Sequence, residues 1–358
     1  MAQRGGQVQR RDVLRGIGGG ALAAALGSMG LRPGRVVGQE QREAGAGKGP
    51  LYTPCTKPAK VTLIKGNDRR EIVFATLKNI EDEVMASIGR KKRILVKPNF
   101  VSTTRPLAAS HVDEVRGILD FFKPRFQGEI VIGESAAGRG GTFEGYQNFG
   151  YLPLEKEYGV KLVDLNAQPW VYRYVFGKDH NPIPIRIIST FLDRDTYIVS
   201  AAKMKTHDRA ITTLALKNVL IGAPLNDGKR NDKGLTHQAY NFTPKETLHF
   251  NMFHLAQEIW PDLGIIDGFE AMEGNGPVSG TPVDAKVALA SLDSLALDIV
   301  ATKIMGFDPM KVPYVQPMID AGMGQGDPAK MQVVGTPVEQ CQFKFKANEK
   351  IVEAFGLG

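Results

Sequence analysis

From Val61 onward, short apolar runs alternate with segments of helical periodicity. In order they are VTLIKG, a helix near Ile72–Ile88, RILVKPN, a helix after Ser110 and up to Phe122, EIVIGES, a helix around 144–157 and VKLVDLN. Strands separated by helices cannot close as tight hairpins, and the helical crossover brings successive strands together in parallel. After a less regular stretch over Pro182–Thr190 come TYIVSAAKMKTH, an apolar helix TLALKNVLIG, a loop to 242, a long helix, LGIIDGF, KVALASL, a helix near 294–305 and a late strand MQVVG. The predicted fold class is α/β, a mainly parallel sheet with helices on both faces. Its domain spans 60–340, read either as one body or as two lobes, 60–175 and 176–340, that share a central crevice. Residues 341–358 read as a C-terminal tail.

In such a sheet, ligands sit beyond the C-terminal ends of the strands. Here those ends carry ionisable groups. RILV runs into Lys97-Pro98-Asn99, EIVIG into Glu134-Ser135, YIVSAA into Lys203-Met204-Lys205-Thr206-His207, and LGII into Asp267-Gly268-Phe269-Glu270. Lys203, Lys205 and His207 are spaced by two, which on an extended backbone places all three on one side. A row of cations is self-repelling unless something negative faces it. The row therefore marks either an anionic ligand, phosphate or carboxylate, or a solvated strand end.

The next helix favours a buried role. TLALKNVLIGAP holds one charge, Lys217, and one amide, Asn218, in an otherwise apolar run. A helix apolar all round is buried, and a buried ammonium needs a partner or loses its proton. The candidate partners are Glu134, Asp267, Asp298 or a ligand. An Asp298–Lys217 bridge is the purely structural version. In the functional version Lys97, Lys203, Lys205 and Lys217 hold an anion beside Glu134, with Asn99 and Asn218 orienting it. His207 is then the acid/base candidate, because an unperturbed imidazole titrates at about 6.5. Asp267 and Glu273 serve as bases or metal ligands.

Metal binding is an open alternative. Glu134, Asp267, Glu270, Glu273, His111, His207 and His237 supply donors for a divalent ion, but none stands in a tight ligand motif. His111 follows Ser110, the expected N-cap of its helix. His249 and His254, five apart on the long helix, diverge by about 140° and read as packing residues. That helix opens with Thr243-Pro244-Lys245-Glu246, a capping sequence, and carries an apolar stripe of Leu248, Met252, Leu255, Ala256 and Ile259. Gly138-Arg139-Gly140-Gly141-Thr142 offers backbone N–H groups to an anion. The run from Glu273 through Gly276-Pro277 to Gly280 reads either as a plain turn or as a close backbone approach to a ligand.

The N-terminus bears on compartment and charge. Arg10-Arg11 precede an uncharged stretch, Gly16–Leu31, whose six glycines make it too short and too weakly apolar for a membrane span. Residues 1–38 resemble a twin-arginine export signal, with cleavage after Gly27 or Gly38, and 39–59 read as a linker. The expected partner during export is the twin-arginine translocase, and the expected location is periplasmic or extracytoplasmic. The segment 1–38 holds six Arg and one Asp, so its removal takes the net charge from +7 to +2. That balance excludes the electrostatic footprint of a nucleic-acid binder. Two cysteines, Cys55 and Cys341, are too few for an intrinsic iron-sulfur cluster; in an oxidising compartment they either pair or remain inert thiols.

Val96-Lys97-Pro98-Asn99, Gly133-Glu134-Ser135, Lys203-Met204-Lys205-Thr206-His207, Leu214-Ala215-Leu216-Lys217-Asn218 with Gly222, Asp267-Gly268 with Ala271-Met272-Glu273-Gly274 and Gly276-Pro277, and Ala296-Leu297-Asp298 with Gly306 follow one another in order. Together they resemble the family named domain of unknown function 362, over roughly residues 60–335. Many members of that family carry ferredoxin-like cysteine motifs, which this chain lacks. The resemblance therefore implies at most an iron-sulfur redox partner, for which this chain would be a non-catalytic accessory. The leading expectation is an enzyme or cofactor-dependent protein that binds a small anionic molecule.

Overall fold

The computed structural model describes residues 55–357 except 139, 178–180 and 238–243, with the backbone alone at 244–246. The leader and most of the linker lie outside the described residues, as do Arg139 of the glycine tract and the capping Thr243. Among the described residues no helix is long and apolar enough to cross a membrane.

Among the described residues twelve strands are formed: β1 (Ala59–Lys65), β2 (Arg93–Lys97), β3 (Glu129–Glu134), β4 (Lys161–Asp164), β5 (Trp170–Phe176), β6 (Pro182–Ile188), β7 (Thr196–His207), β8 (Ile211–Thr213), β9 (Leu263–Glu273), β10 (Thr281–Val283), β11 (Val287–Ser291) and β12 (Met331–Gly335). Ten of them make one sheet in the order β12-β1-β11-β9-β7-β2-β3-β4, with β10 added beside β9 and β8 beside β7. The run β9-β7-β2-β3-β4 is parallel throughout. The C-terminal ends of the four predicted strands therefore lie on one side. β11 enters antiparallel between β9 and β1.

All twelve residues of β7 are buried, as a central strand covered on both faces requires. Its odd-numbered Tyr197, Val199 and Ala201 face an apolar layer supplied by the helices Arg69–Lys78, Glu81–Ile88 and Val112–Phe122. The even-numbered Ile198, Ala202 and Met204 face a second layer, supplied by the helices Ala215–Leu220, Pro244–Leu255 and Ser294–Ile304. The fold is α/β with helices on both faces of the sheet.

Local differences from the sequence reading have local causes. The single helix expected over 72–88 is two, the first capped by Asp68, whose side chain accepts from Glu71 N at 2.9 Å. The helix expected around 144–157 is likewise two, Thr142–Asn148 and Leu154–Tyr158, interrupted where Gly150 turns left-handed and Pro153 follows. Ser110 is not the cap of its helix. Its hydroxyl accepts from Asn99 N and donates to Ala201 O, and His111 takes the cap instead, Nδ1 accepting from Asp113 N at 3.1 Å. The irregular stretch Pro182–Thr190 is half of a hairpin, β5 pairing antiparallel with β6. Prolines at 182 and 184 hide the strand pattern, and a two-stranded ribbon tolerates them on its edge.

Candidate functional site

A cavity of about 740 Å³ opens beyond the C-terminal ends of β2, β3 and β7. Its lining includes Lys97, Asn99, Glu134, Ser135, His207, Lys217, Asn218, Lys233 and His237.

β2 and β3 deliver the first pair. Lys97 Nζ donates to Glu134 Oε2 at 2.7 Å, to Asn218 Oδ1 at 3.0 Å and to Pro98 O at 2.9 Å, with Lys97 and Glu134 both almost fully buried. Asn218 is held in turn. Its Nδ2 donates to Lys97 O at 3.0 Å and Ser200 Oγ at 3.1 Å, and its Oδ1 also accepts from Asn99 Nδ2 at 3.2 Å. Asn99 Oδ1 accepts from Lys205 Nζ at 2.6 Å, and Ala108 O accepts from the same amine at 2.7 Å. Lys205 therefore lies beneath the cavity rather than in it, facing two neutral oxygens, and burial drives its pKa well below the ordinary lysine value. Gly222 makes this packing feasible: a Cβ there would lie 2.2 Å from Lys97 Cε.

Lys217 has a different environment. It lies on the buried helix Ala215–Leu220 and lines the cavity, but its amine has no hydrogen bond or ion pair among the described residues. Burial lowers its pKa to about 8, opposed by Asp208 and reinforced by Arg209. The expected bridge to Asp298 is not formed. Asp298 accepts instead from Ala215 N at 2.9 Å and Leu216 N at 3.2 Å, capping the helix that carries Lys217.

Two histidines sit near this amine in opposite tautomers. His207 Nδ1 accepts from the backbone N–H of Arg209 at 3.0 Å and of Ala210 at 3.3 Å, so the ring proton is on Nε2. His237 Nδ1 lies 2.7 Å from Lys233 O, which only accepts, so here Nδ1 carries the proton and Nε2 is bare. The rings stack at 6.3 Å between centroids. Burial first and Lys217 next push both pKa values down, His237 to about 3 and His207 well below 6.5, so both rings are neutral. The 3.2 Å approach of Asp208 Oδ1 to His207 Nδ1 is thus a contact and not an ion pair.

Lys233 and His237 come from the loop read to 242. Arg186 of β6 folds that loop inward, its Nε donating to Asp232 Oδ2 at 2.6 Å and its Nη1 to Asp227 Oδ2 at 2.5 Å. Asn231 then caps the short helix Asp232–Thr236, accepting from Gly234 N at 2.9 Å. Lys233 Nζ donates to Ser135 Oγ at 2.9 Å and Gly222 O at 2.5 Å, and burial lowers its pKa to about 7. The opposite wall is Asn275–Ser279 with Asn348, Glu349 and Lys350. Asn348 Nδ2 donates to Gly276 O at 2.7 Å, and a Cβ on Gly276 would lie 2.2 Å from Thr206 O, so the wall closely approaches the end of β7.

The structure separates three of the expected site residues from this group. β9 does not stop at Asp267 but continues to Glu273, with a register shift against β7 between Lys203 and Lys205. Asp267 and Lys203 are therefore internal and both lie outside the cavity lining, Lys203 Nζ at 3.9 Å and Arg69 Nε at 3.2 Å from the Asp267 carboxylate. Glu273 Oε2 accepts from Lys346 N at 2.9 Å, which ties down the C-terminal segment, and it too lies outside the lining. Among the described residues no group of three or more His, Cys, Asp or Glu gathers to hold a metal ion. His249 stacks on Tyr314 and His254 packs edge-on against Phe176. Cys55 and Cys341 are both free.

Next to Asp267, Glu114 is fully buried and neither carboxyl oxygen has a hydrogen-bond partner. Burial, then Asp267, raise its pKa well above the usual carboxylate value, so it is neutral. Glu114→Gln, which keeps shape and neutrality and removes the cost of protonating a carboxyl that is ionised in the unfolded chain, is expected not to destabilise the protein at pH 7. A loss beyond about 2 kcal/mol in urea denaturation would mean that Glu114 carries a charge needed by Lys203 or Arg69.

The molecule is thus an α/β protein with a polar, mainly basic cavity at the carboxyl ends of its parallel strands. The chain belongs to the family described as a domain of unknown function, DUF362, whose match covers residues 94–303. It is similar to a thylakoid-associated protein of Synechocystis sp., 30% identical over 226 residues that cover 62% of this chain and 65% of the relative. The matched part thus spans just under two thirds of that relative's length. Among solved structures, the lactate racemase apoprotein from Thermoanaerobacterium thermosaccharolyticum superposes with a TM-score of 0.43 at 15% identity, over 70% of this chain and 57% of that one. A protein from Thermotoga maritima superposes with a TM-score of 0.39 at 13% identity, over 62% and 55%.

Proposed function

We propose that the cavity binds a small anionic molecule bearing a phosphate or carboxylate, and that the protein acts on it as an enzyme or cofactor-dependent protein. The observation that carries this reading is Lys217: a buried ammonium in a cavity wall with no partner of its own among the described residues. Around it Lys205, His207, Lys233 and His237 all have lowered pKa values, each through burial first and then through neighbouring cations. Five basic side chains (Lys97, Arg209, Lys217, Lys233, Lys350) face three acidic ones (Glu134, Asp208, Glu349) around the lining. One bound anion would offset the cost of keeping the Lys217 and Lys233 ammonium groups charged away from water.

Inorganic phosphate is the simplest probe. It is expected to raise the melting temperature of the folded protein in a concentration-dependent way. Lys217→Met, which removes a buried charge and should fold, is expected to weaken phosphate binding roughly tenfold or more, the worth of a charge-assisted hydrogen bond. Because the anion favours protonated Lys217, affinity should fall as pH rises through about 8. Asp208, Arg209, His207, His237, Lys205 and His249 are the charged and titratable groups around that amine. Equal affinity in wild type and Lys217→Met would remove the reading.

A further inference from the structure

We propose that Lys217 is a nucleophilic amine and that the cavity takes an anionic carbonyl compound, which Lys217 converts to an imine. This deepens the anion-binding reading and rests on it for the charge of the substrate. Three features of the cavity lining support it. The Lys217 amine is buried and not tied to an acceptor among the described residues, unlike Lys97, Lys205 and Lys233, whose amines all donate to fixed oxygens. A lysine held by carbonyls and carboxylates is a clamp; one held by nothing has a nitrogen lone pair available once it is neutral. Its pKa, lowered to about 8, gives roughly one neutral amine in ten at pH 7, against less than one in a thousand for an ordinary lysine.

The neighbouring histidines supply the proton handling. His207, whose Nδ1 is occupied by two backbone N–H groups, offers Nε2–H to the carbonyl oxygen. His237, whose Nδ1–H is given to Lys233 O, offers a bare Nε2. In the addition step the Lys217 nitrogen forms the C–N bond while the carbonyl π pair moves to oxygen, which the His207 hydrogen bond stabilises. A proton passes from the new C–N nitrogen to that oxygen while His237 Nε2 accepts a hydrogen bond from the nitrogen and orients it. A second proton moves the same way, the C–O bond breaks, water leaves, and the nitrogen lone pair closes the C=N bond. The balance is amine plus carbonyl giving imine plus water, with no oxidant or reductant.

Glyoxylate is an anionic aldehyde small enough for the cavity, and cyanoborohydride reduces its imines to stable carboxymethyl amines. With limiting glyoxylate, peptide mass spectrometry should find the adduct on Lys217 at least about tenfold ahead of any surface lysine, given its larger neutral fraction. Inorganic phosphate should suppress that labelling, and Lys217→Arg should abolish it with the fold retained by circular dichroism. Adducts spread over surface lysines, with Lys217 unmodified, would overturn the proposal. Phosphate-induced thermal stabilisation without a Lys217 adduct would overturn the imine while leaving anion binding in place. An adduct on Lys217 that phosphate neither suppresses nor accompanies with thermal stabilisation would support the amine and remove anion binding. If Lys217→Arg fails to fold, phosphate protection of the wild-type adduct decides alone.

Discussion

Lys97→Met is expected to destabilise the protein by roughly 3–5 kcal/mol at pH 7, the cost of leaving one member of a buried ion pair without the other. Lys97 and Glu134 are 1% and 2% exposed, and their 2.7 Å contact is the centre of the polar group at the ends of β2 and β3. Removing the ammonium leaves Glu134 with one long contact, Phe100 N at 3.4 Å, and deprives Asn218 Oδ1 of its charged donor. Asn218 also joins β2 to β7 through Lys97 O and Ser200 Oγ, so the loss spreads across two strands. The double variant Lys97→Met, Glu134→Leu removes both charges and should recover most of the stability. Urea denaturation of wild type, both single variants and the double gives the coupling energy. A single-variant loss below about 1 kcal/mol would mean that water already reaches the pair.

The same residues show how far the sequence could be read. β2, β3, β7 and β9 were legible because strands covered on both faces are near-continuous apolar runs, and ionisable groups stand out against them. Lys97, Asn99, Glu134 and His207 stand out that way, Lys217 and Asn218 likewise against an apolar helix, and the structure places these six around one cavity with Lys205 beneath it. Periodicity could not show where a strand stops. Asp267 followed by Gly268 looked like a strand end, but β9 continues irregularly past it. Lys203 and Lys205 obey the spacing-by-two rule, yet one meets Asp267 and the other Asn99, with a register shift of β7 against β9 between them. Lys233 was missed for a different reason. It lies in NDGKRNDKG, whose composition reads as solvated loop, and it is buried through Arg186 ion pairs that reach 41 and 46 residues along the chain. An unpaired Arg in an apolar strand was the available signal. The wall at Asn348–Lys350 left no signal, since the segment is polar and its place depends on Glu273 and Gly276.

Asp298 gives the test that separates a cap from a bridge. Read from sequence, an acid in one apolar helix and a lysine in another suggest a salt bridge, and removing both should then be harmless. In the structure the helix Ala215–Leu220 begins at Leu214, which has no capping side chain, and Asp298 supplies the acceptor from the neighbouring helix. Tyr314 adds a third donor at 3.3 Å. Asp298→Leu orphans two buried helix N–H groups, each worth roughly 1–3 kcal/mol, so a loss of about 3 kcal/mol or more is expected. Lys217→Met removes a buried charge unpaired among the described residues and has its own effect, so the double variant should equal the sum of the two single variants, whereas a bridge would make the two effects strongly non-additive. A pH dependence accompanies the cap. Burial pushes the Asp298 pKa up to about 7, above its unfolded value near 3.9, so the folded state binds the extra proton. Its contribution to stability therefore falls as pH rises from about 4 to 7, and Asp298→Asn should flatten that slope. The slope is the more discriminating readout, because a buried carboxylate paired with Lys217 would have a lowered pKa, which confines its effect to pH below about 4 and leaves stability flat from there to 7.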